Sequence, residues 1–341
     1  MNFSMWKKAL NVIPSVDKEE WSVLDIISKW LIASRAAVLI MTFISGALAG
    51  IFALRDNTFS LIPWLALVIG LIFAHATNNL FNDYTDFVRG VDKDNYYRTM
   101  YGPQPVANGL LSKKQLLLYA GITGLLGLGF GIILLAYSGW DKIVLLCLGA
   151  GIFFVLFYTW PLKYIALGEI SVLIVWGPLM IGGGYYVLSH HWNWNVVLAS
   201  LPYVFGVTTV IFGKHIDKIE MDKNKKINTL PVILGEKTSR YLTLSMMVGS
   251  YLFVVVMIFL KYFTPVMLLV FLALPQLKSI IPAFRKPKPE IRPPDFPEGN
   301  GGWPLYFAPL AFINNRSFGS YFLMGLIIDT ILRILWPQFW G

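Results

Sequence analysis

The stretch LIPWLALVIGLIFAHATNNLFNDYTDFVRGVDKD, Leu61 to Asp94, decides the fold. Residues 60–81 are almost pure hydrocarbon and long enough to cross a bilayer as a helix, which needs about 20 apolar residues. Polar side chains then crowd together: Asn78, Asn79 and Asn82, followed by Asp83, Asp86, Asp92 and Asp94. Carboxylates at a membrane boundary are costly unless something neutralises them. The segment therefore predicts a membrane helix whose mouth holds a cation.

The rest of the chain fits this reading. Of 341 residues, 56% are hydrophobic and 14% charged, against about 25% charged in an ordinary soluble domain. The mean hydropathy is +0.61. Such a chain has too few polar side chains to cover a water-exposed surface of its size. The lone cysteine, Cys147, excludes an intrachain disulfide and a cysteine zinc cluster. Residues 1–29 are mixed polar, without the apolar core of a signal peptide, and read as a cytoplasmic tail. Residues 30–341 read as one transmembrane domain, all-α and polytopic.

Nine spans are expected, near 30–54, 60–81, 116–137, 143–160, 169–188, 196–216, 241–260, 265–284 and 318–336. Trp30, Trp140, Trp160, Trp192, Trp194 and Trp336 mark their ends, as interfacial anchors do. With the N-terminus cytoplasmic, Lys and Arg of the tail and of the 2–3, 4–5, 6–7 and 8–9 loops all fall on the cytoplasmic side. Only Arg55, Lys142 and Lys261 fall in loops on the other. That asymmetry follows the positive-inside rule. It also assigns the net charge of +9 to a membrane face rather than to nucleic-acid binding. The Pro-rich piece from Pro282 to Pro304 reads as a solvated, non-helical linker.

Asp83 and Asp86, three apart, share a helix face with Asn79 and Asn82, while Gly90 lets the chain turn before Asp92. Oxygen ligands without His or Cys favour a hard ion such as Mg²⁺. A second acidic group, Asp217, Glu220 and Asp222, closes the sixth span. In the nine-span topology it reaches the same membrane face. Each group alone could be an ordinary solvated helix end; two at one depth, each beside basic residues, suit Mg²⁺ plus a polyanion. Between spans four and five, Tyr158 and Lys163 reach the same face and Glu169 starts span five. Arg35 within span one either meets substrate or an acidic motif, or snorkels to the surface. His75 reads as packed or pore-facing, and Asp329 and Arg333 as an i,i+4 pair.

These stretches resemble the UbiA superfamily of intramembrane prenyltransferases. Its first signature, N-D-x-x-D with a later Asp, is matched by Asn82, Asp83, Asp86 and Asp92. The form NDYTDFVRGVDK is most similar to the branch that prenylates 1,4-dihydroxy-2-naphthoate in menaquinone synthesis. Tyr158, Lys163, Gly168, Glu169, Gly177 and Pro178 match the 4–5 loop signature, and Thr229 to Gly235 the end of the second acidic motif. There are departures. Asp217 and Asp222 lie five apart, about 140° round an ideal helix, where the family has four. A π-bulge or a helix break would restore a common face; otherwise Glu220 substitutes. Gly102-Pro103-Gln104-Pro105 lacks the Arg that the naphthoate branch carries after Gly-Pro, and Arg98 could stand in.

The resemblance implies a nine-helix bundle around a central cavity. It implies Mg²⁺-dependent transfer of a polyprenyl group from its diphosphate to an acceptor, usually aromatic, at the cytoplasmic face of the cell membrane. The implied metal ligands are Asp83, Asp86, Asp92, Asp217 and Asp222, with Lys163 also acting in catalysis. Asn79, Asn82, Arg89, Arg98, Tyr158, Lys163, Lys214 and Lys223 are the implied substrate contacts. A non-quinone acceptor, such as a glycerol lipid or a phosphosugar, is the alternative within the family. A cation-coupled transporter is the alternative outside it; that class tends to inverted repeats and midplane carboxylates.

Overall fold

The computed structural model describes residues 1–92, 104–296 and 302–340. Among them there is no strand, only an isolated bridge between Ile165 and Asn228. Eight helices are long and apolar enough to cross a membrane. These are α4 (Ile40–Arg55, entered through a 3₁₀ turn at Ala36–Val38), α5 (Leu61–Val88), α6 (Lys113–Tyr137), α8 (Gly168–Ser189), α9 (Trp194–Ile216), α12 (Glu236–Phe259), α13 (Pro265–Arg285) and α14 (Phe307–Leu335). The expected fourth span is the shorter apolar helix α7 (Lys142–Phe157). Short helices complete the chain: α1 (Phe3–Asn11), α2 (Lys18–Val23), α3 (Ile26–Ala33), α10 (Ile219–Asn224), α11 (Leu230–Leu234) and α15 (Pro337–Trp340).

Several boundaries differ from the sequence reading, each for a local reason. The expected tail is helical: Asp17 caps α2 and Asp25 caps α3, accepting from backbone N–H groups that a helix start leaves unpaired. Met5, Ala9, Trp21 and Leu24 are buried in one cluster with Leu80 of α5 and Leu116 of α6. The first span breaks at Arg35, which takes a left-handed φ of 56° between α3 and the 3₁₀ turn. Pro282 sits inside α13, which runs on to Arg285, so the linker is shorter than expected. The last span starts at Phe307 rather than 318, because Asp217 caps its first turn.

Two packing arrangements place the site. Residues on α6 are small where it meets α5: a Cβ on Gly124 or Gly127 would press on Thr77 or Ala74. Helix α9 runs through the largest core, against α12, α14 and α8. Helix α8 is π-wound over Val175–Gly182, around Pro178. Proline cannot donate the usual helical hydrogen bond, and a π-turn absorbs the mismatch.

Candidate active site

The ends of α5 and α9 come to one face of the bundle. On α5, Asn79, Asn82, Asp83 and Asp86 are all buried on one side, as their spacing requires. The Asn79 amide donates to the Ser34 carbonyl (2.9 Å) and the Asn82 amide to the Thr159 hydroxyl (2.9 Å). These bonds tie α5 to the α3–α4 break and to the α7–α8 loop. Asp83 pairs with Arg35, so the left-handed turn serves to aim a guanidinium at the first aspartate.

Asp86 accepts from Lys163 Nζ at 2.8 Å. The loop that carries Lys163 is wound tightly: its backbone N–H donates to the Tyr158 carbonyl, and Gly168 approaches so closely that a Cβ there would touch Lys163 Cα at 3.4 Å. From α9 and the turn after it, the charges of Lys214 and Lys218 reach Asp86. Lys218 lies 3.5 Å from Asp222, which is buried on α10. Lys225 donates to the carbonyls of Gly90 and Val91, and the Asn228 N–H to that of Tyr164. All three sequence stretches thus meet. Asp92 accepts from the Gln104 amide (3.2 Å); burial, reinforced by the Asp86 charge, pushes its carboxyl up to about 6.

Behind this polar mouth lies a cavity of about 670 Å³. Arg35, Asn79, Asn82, Tyr158 and Lys214 line its polar end. It continues along α5 as far as Leu67, about 24 Å of helix from Asp83. His75 lines the wall, its Nδ1 2.7 Å from the Thr42 hydroxyl and its ring edge-on to Trp176 at 5.3 Å.

Asp217 does not join the cluster. Helix α9 ends at Ile216 and α10 starts at Ile219. That break sends Asp217 away from Asp222 instead of restoring a common face. The Asp217 carboxylate accepts from the backbone N–H groups of Tyr306, Phe307 and Ala308 (3.0–3.1 Å), with Lys288 at 3.9 Å. It is committed to the start of α14, so the expectation of a metal ligand is replaced by a capping role. Glu220 and Lys223 are exposed. Arg89 stacks on Trp160 (4.4 Å) and Tyr164 (5.5 Å) rather than on the acidic cluster. Arg98 and Asp94 lie outside the described residues.

Sequence reasoning passed over Lys218, although its i,i+4 spacing to Asp222 was a usable signal. It also missed the partner of Glu169: one carboxylate oxygen lies 2.6 Å from His215 Nδ1, and the other accepts from the Leu230 N–H at 3.3 Å. That buried link fixes α8, α9 and the Thr229–Gly235 segment to one another.

Among the described residues no three His, Cys, Asp or Glu side chains form a ready-made metal cage. Mg²⁺ seldom uses one; it takes one or two carboxylates plus substrate phosphates and water. Buried carboxylate and amide oxygens at the mouth of an apolar cavity are the donor chemistry such an ion takes.

The pattern of the UbiA prenyltransferase family matches residues 43–289. The chain belongs to that family. It is 25% identical over 254 residues to the 1,4-dihydroxy-2-naphthoate octaprenyltransferase of Bacillus subtilis, covering 74% of this chain and 80% of that protein. It is 25% identical over 223 residues to the UbiA prenyltransferase domain-containing protein 1 homolog of Drosophila melanogaster, covering 64% of this chain and 60% of that protein. The fold resembles that of a UbiA homolog from Archaeoglobus fulgidus bound to GPP and Mg²⁺. There the TM-score is 0.54 at 17% identity, over 88% of this chain and 99% of the other.

Proposed function

We propose that this UbiA-family prenyltransferase moves a polyprenyl group from its diphosphate to an aromatic acceptor of the 1,4-dihydroxy-2-naphthoate kind. The observation that carries the reading is the meeting of Asp83, Asp86 and Asp222 with Arg35, Lys163, Lys214 and Lys218 at the head of a long apolar cavity. The naphthoate enzymes among the relatives support the acceptor class. We place the site on the cytoplasmic face of the cell membrane from the lysine and arginine asymmetry.

Asp83, Asp86 and Asp222 would hold Mg²⁺, with Asp92 beside them. The ion would neutralise the diphosphate and ease its departure. Arg35, Lys163, Lys214 and Lys218 supply cations for the remaining phosphate oxygens, where charge grows as the C–O bond ionises. The Asn79 and Asn82 side chains, fixed by their bonds to Ser34 and Thr159, orient the head group. The prenyl chain lies in the cavity along α5 and α6. Water is excluded there, so the allylic cation survives until an electron-rich ring carbon attacks it. Tyr158 and Trp176 line the wall and offer aromatic faces to that cation.

The test is transfer of a radiolabelled prenyl diphosphate by the purified full chain in detergent, with a panel of acceptors and with or without EDTA. Mg²⁺-dependent prenylation of a dihydroxynaphthoate supports the reading. Prenylation of a glycerol phosphate or a phosphosugar alone would remove the acceptor assignment. Cation uptake by proteoliposomes without any transfer would remove the reaction.

A further inference from the structure

His75 lies on the wall of the main cavity, and the reaction described above gives it no task. Its residue is only 9% exposed, and three helices fix the ring. Helix α5 carries it, the Thr42 hydroxyl of α4 holds Nδ1 at 2.7 Å, and Trp176 in the π-wound part of α8 packs against it at right angles. The other ring nitrogen, Nε2, has no hydrogen-bond partner among the described residues, and protein atoms do not seal it, so it opens into the cavity. The hydroxyls of Thr77 and Ser171, on the same cavity, donate to the carbonyls of Phe73 and Leu167. The indole N–H of Trp176 is sealed by its surroundings.

The hydrogen on the imidazole can be placed by counting donors. Thr42 is fully buried, and among the described residues its hydroxyl has His75 Nδ1 as its one partner. A buried O–H that donates to nothing costs free energy. The hydroxyl therefore donates and Nδ1 accepts, which puts the ring hydrogen on Nε2. The cavity wall thus presents an N–H that no group of the protein receives.

His75 stands about 12 Å of helix below Asp83 and about 6 Å below Asn79. The diphosphate fills the first part of that interval, and reacting carbons meet about 3–3.5 Å apart. What remains is close to the width of an aromatic ring. A prenyl chain is hydrocarbon and offers an N–H nothing to bond; a ring hydroxyl does.

Building on the proposed transfer to an aromatic acceptor, we infer that His75 is a positioning residue for that acceptor. Its Nε2–H donates to the hydroxyl farthest from the diphosphate, the 4-hydroxyl of a 1,4-dihydroxy-2-naphthoate whose carboxylate turns toward the basic mouth. Thr42 keeps the donor on the correct nitrogen, and the bond sets the tilt of the ring against the allylic carbon. The prenyl chain keeps to the α6 side of the cavity.

The test uses purified full-length protein with 1,4-dihydroxy-2-naphthoate and a prenyl diphosphate. The inhibitor is 1-hydroxy-2-naphthoate, which lacks the 4-hydroxyl. Wild type should hold the inhibitor about tenfold more weakly than the acceptor, the worth of one hydrogen bond. His75→Asn keeps a polar atom for Thr42 and loses Nε2. It should raise the acceptor KM about tenfold, leaving the inhibitor constant and the KM for prenyl diphosphate unchanged. His75→Gln keeps a donor near Nε2 and loses the Thr42 bond, and its acceptor KM should stay close to wild type. Equal binding of acceptor and inhibitor by wild type overturns the inference, and that comparison stands even where a variant does not fold. An unmoved acceptor KM in His75→Asn, or an equal rise in His75→Gln, overturns it too, while wild-type turnover leaves the proposed reaction standing. Wild type that prenylates no dihydroxynaphthoate removes that reaction and this inference with it.

Discussion

Lys163 and Asp86 stand 77 residues apart in sequence and 2.8 Å apart in space, both buried. Their contact joins the loop before α8 to the acidic end of α5. A buried pair of this kind is weak evidence for stability, because desolvation offsets most of the attraction. The proposed function gives the pair a different role: when substrate arrives, the carboxylate would be freed for a cation and the ammonium for a phosphate.

Lys163→Met should therefore lower transfer on the order of a hundredfold, the usual cost of losing one donor aimed at developing charge. Asp86→Asn should lower it at least as far, and raising Mg²⁺ should not restore it. Steady-state rates with a radiolabelled prenyl diphosphate check both. Near-normal rates in either variant would dissociate this pair from catalysis.

Asp217 and Asp222 should separate cleanly. Asp222→Asn is expected to abolish transfer while the thermal midpoint in detergent stays close to wild type. Asp217→Ala should lower that midpoint, because α14 loses its cap, a loss of about 1–2 kcal/mol. Protein that remains folded should still turn over. Paired melting curves and rates per folded molecule distinguish the two. The reverse pattern would return Asp217 to the metal site.

That division shows where the sequence was legible and where it was not. The α5 cluster could be read because all its members sit on one regular helix, so spacing alone put Asn79, Asn82, Asp83 and Asp86 on a common side. Lys163 came from its motif. The second cluster could not be read as far, because a break after Ile216 replaces helical periodicity with a turn whose direction tertiary contacts set. Asp217 looked like a ligand; three backbone N–H groups 89 to 91 residues away claimed it. Arg35 was ambiguous for a similar reason. Its left-handed φ, which aims the side chain at Asp83, is not a preference of arginine. The N-terminal helices were missed because each is too short to show a convincing period.

Gly213 on α9 should tolerate no side chain. A Cβ there would lie 2.7 Å from the Phe307 carbonyl oxygen and 2.9 Å from the Ala308 nitrogen, backbone atoms that cannot swing aside. Gly213→Ala should destabilise by about 1–3 kcal/mol through overpacking. Gly249→Ala on α12 has nothing within 4 Å and serves as the control. Thermal midpoints of the two variants in one detergent test this. Equal midpoints would mean that α9 and α14 are less closely packed than described.

Acid should release the N-terminal helices late. The Asp25 carboxylate accepts from the Asn2 N–H (2.7 Å), the Trp6 indole (3.1 Å) and the Ser28 N–H (3.0 Å) and hydroxyl (2.9 Å), which fastens α1 to α3. Burial works to raise its pKa, but these hydrogen bonds outweigh it and hold the carboxyl well below the usual carboxylate range. The sign follows from that depression. The contribution is fully present above the ordinary value of about 3.9 and is lost only as pH falls through the lower, folded-state value. Wild type should then keep α1 docked at pH 5 and free it only in strong acid. Asp25→Asn should free it at neutral pH. Hydrogen exchange over residues 3–11 and the emission of Trp6 report the change. Release of α1 in wild type near pH 5, or a docked α1 in Asp25→Asn, would mean that the apolar contacts of Met5 and Ala9 hold the helix without this carboxylate.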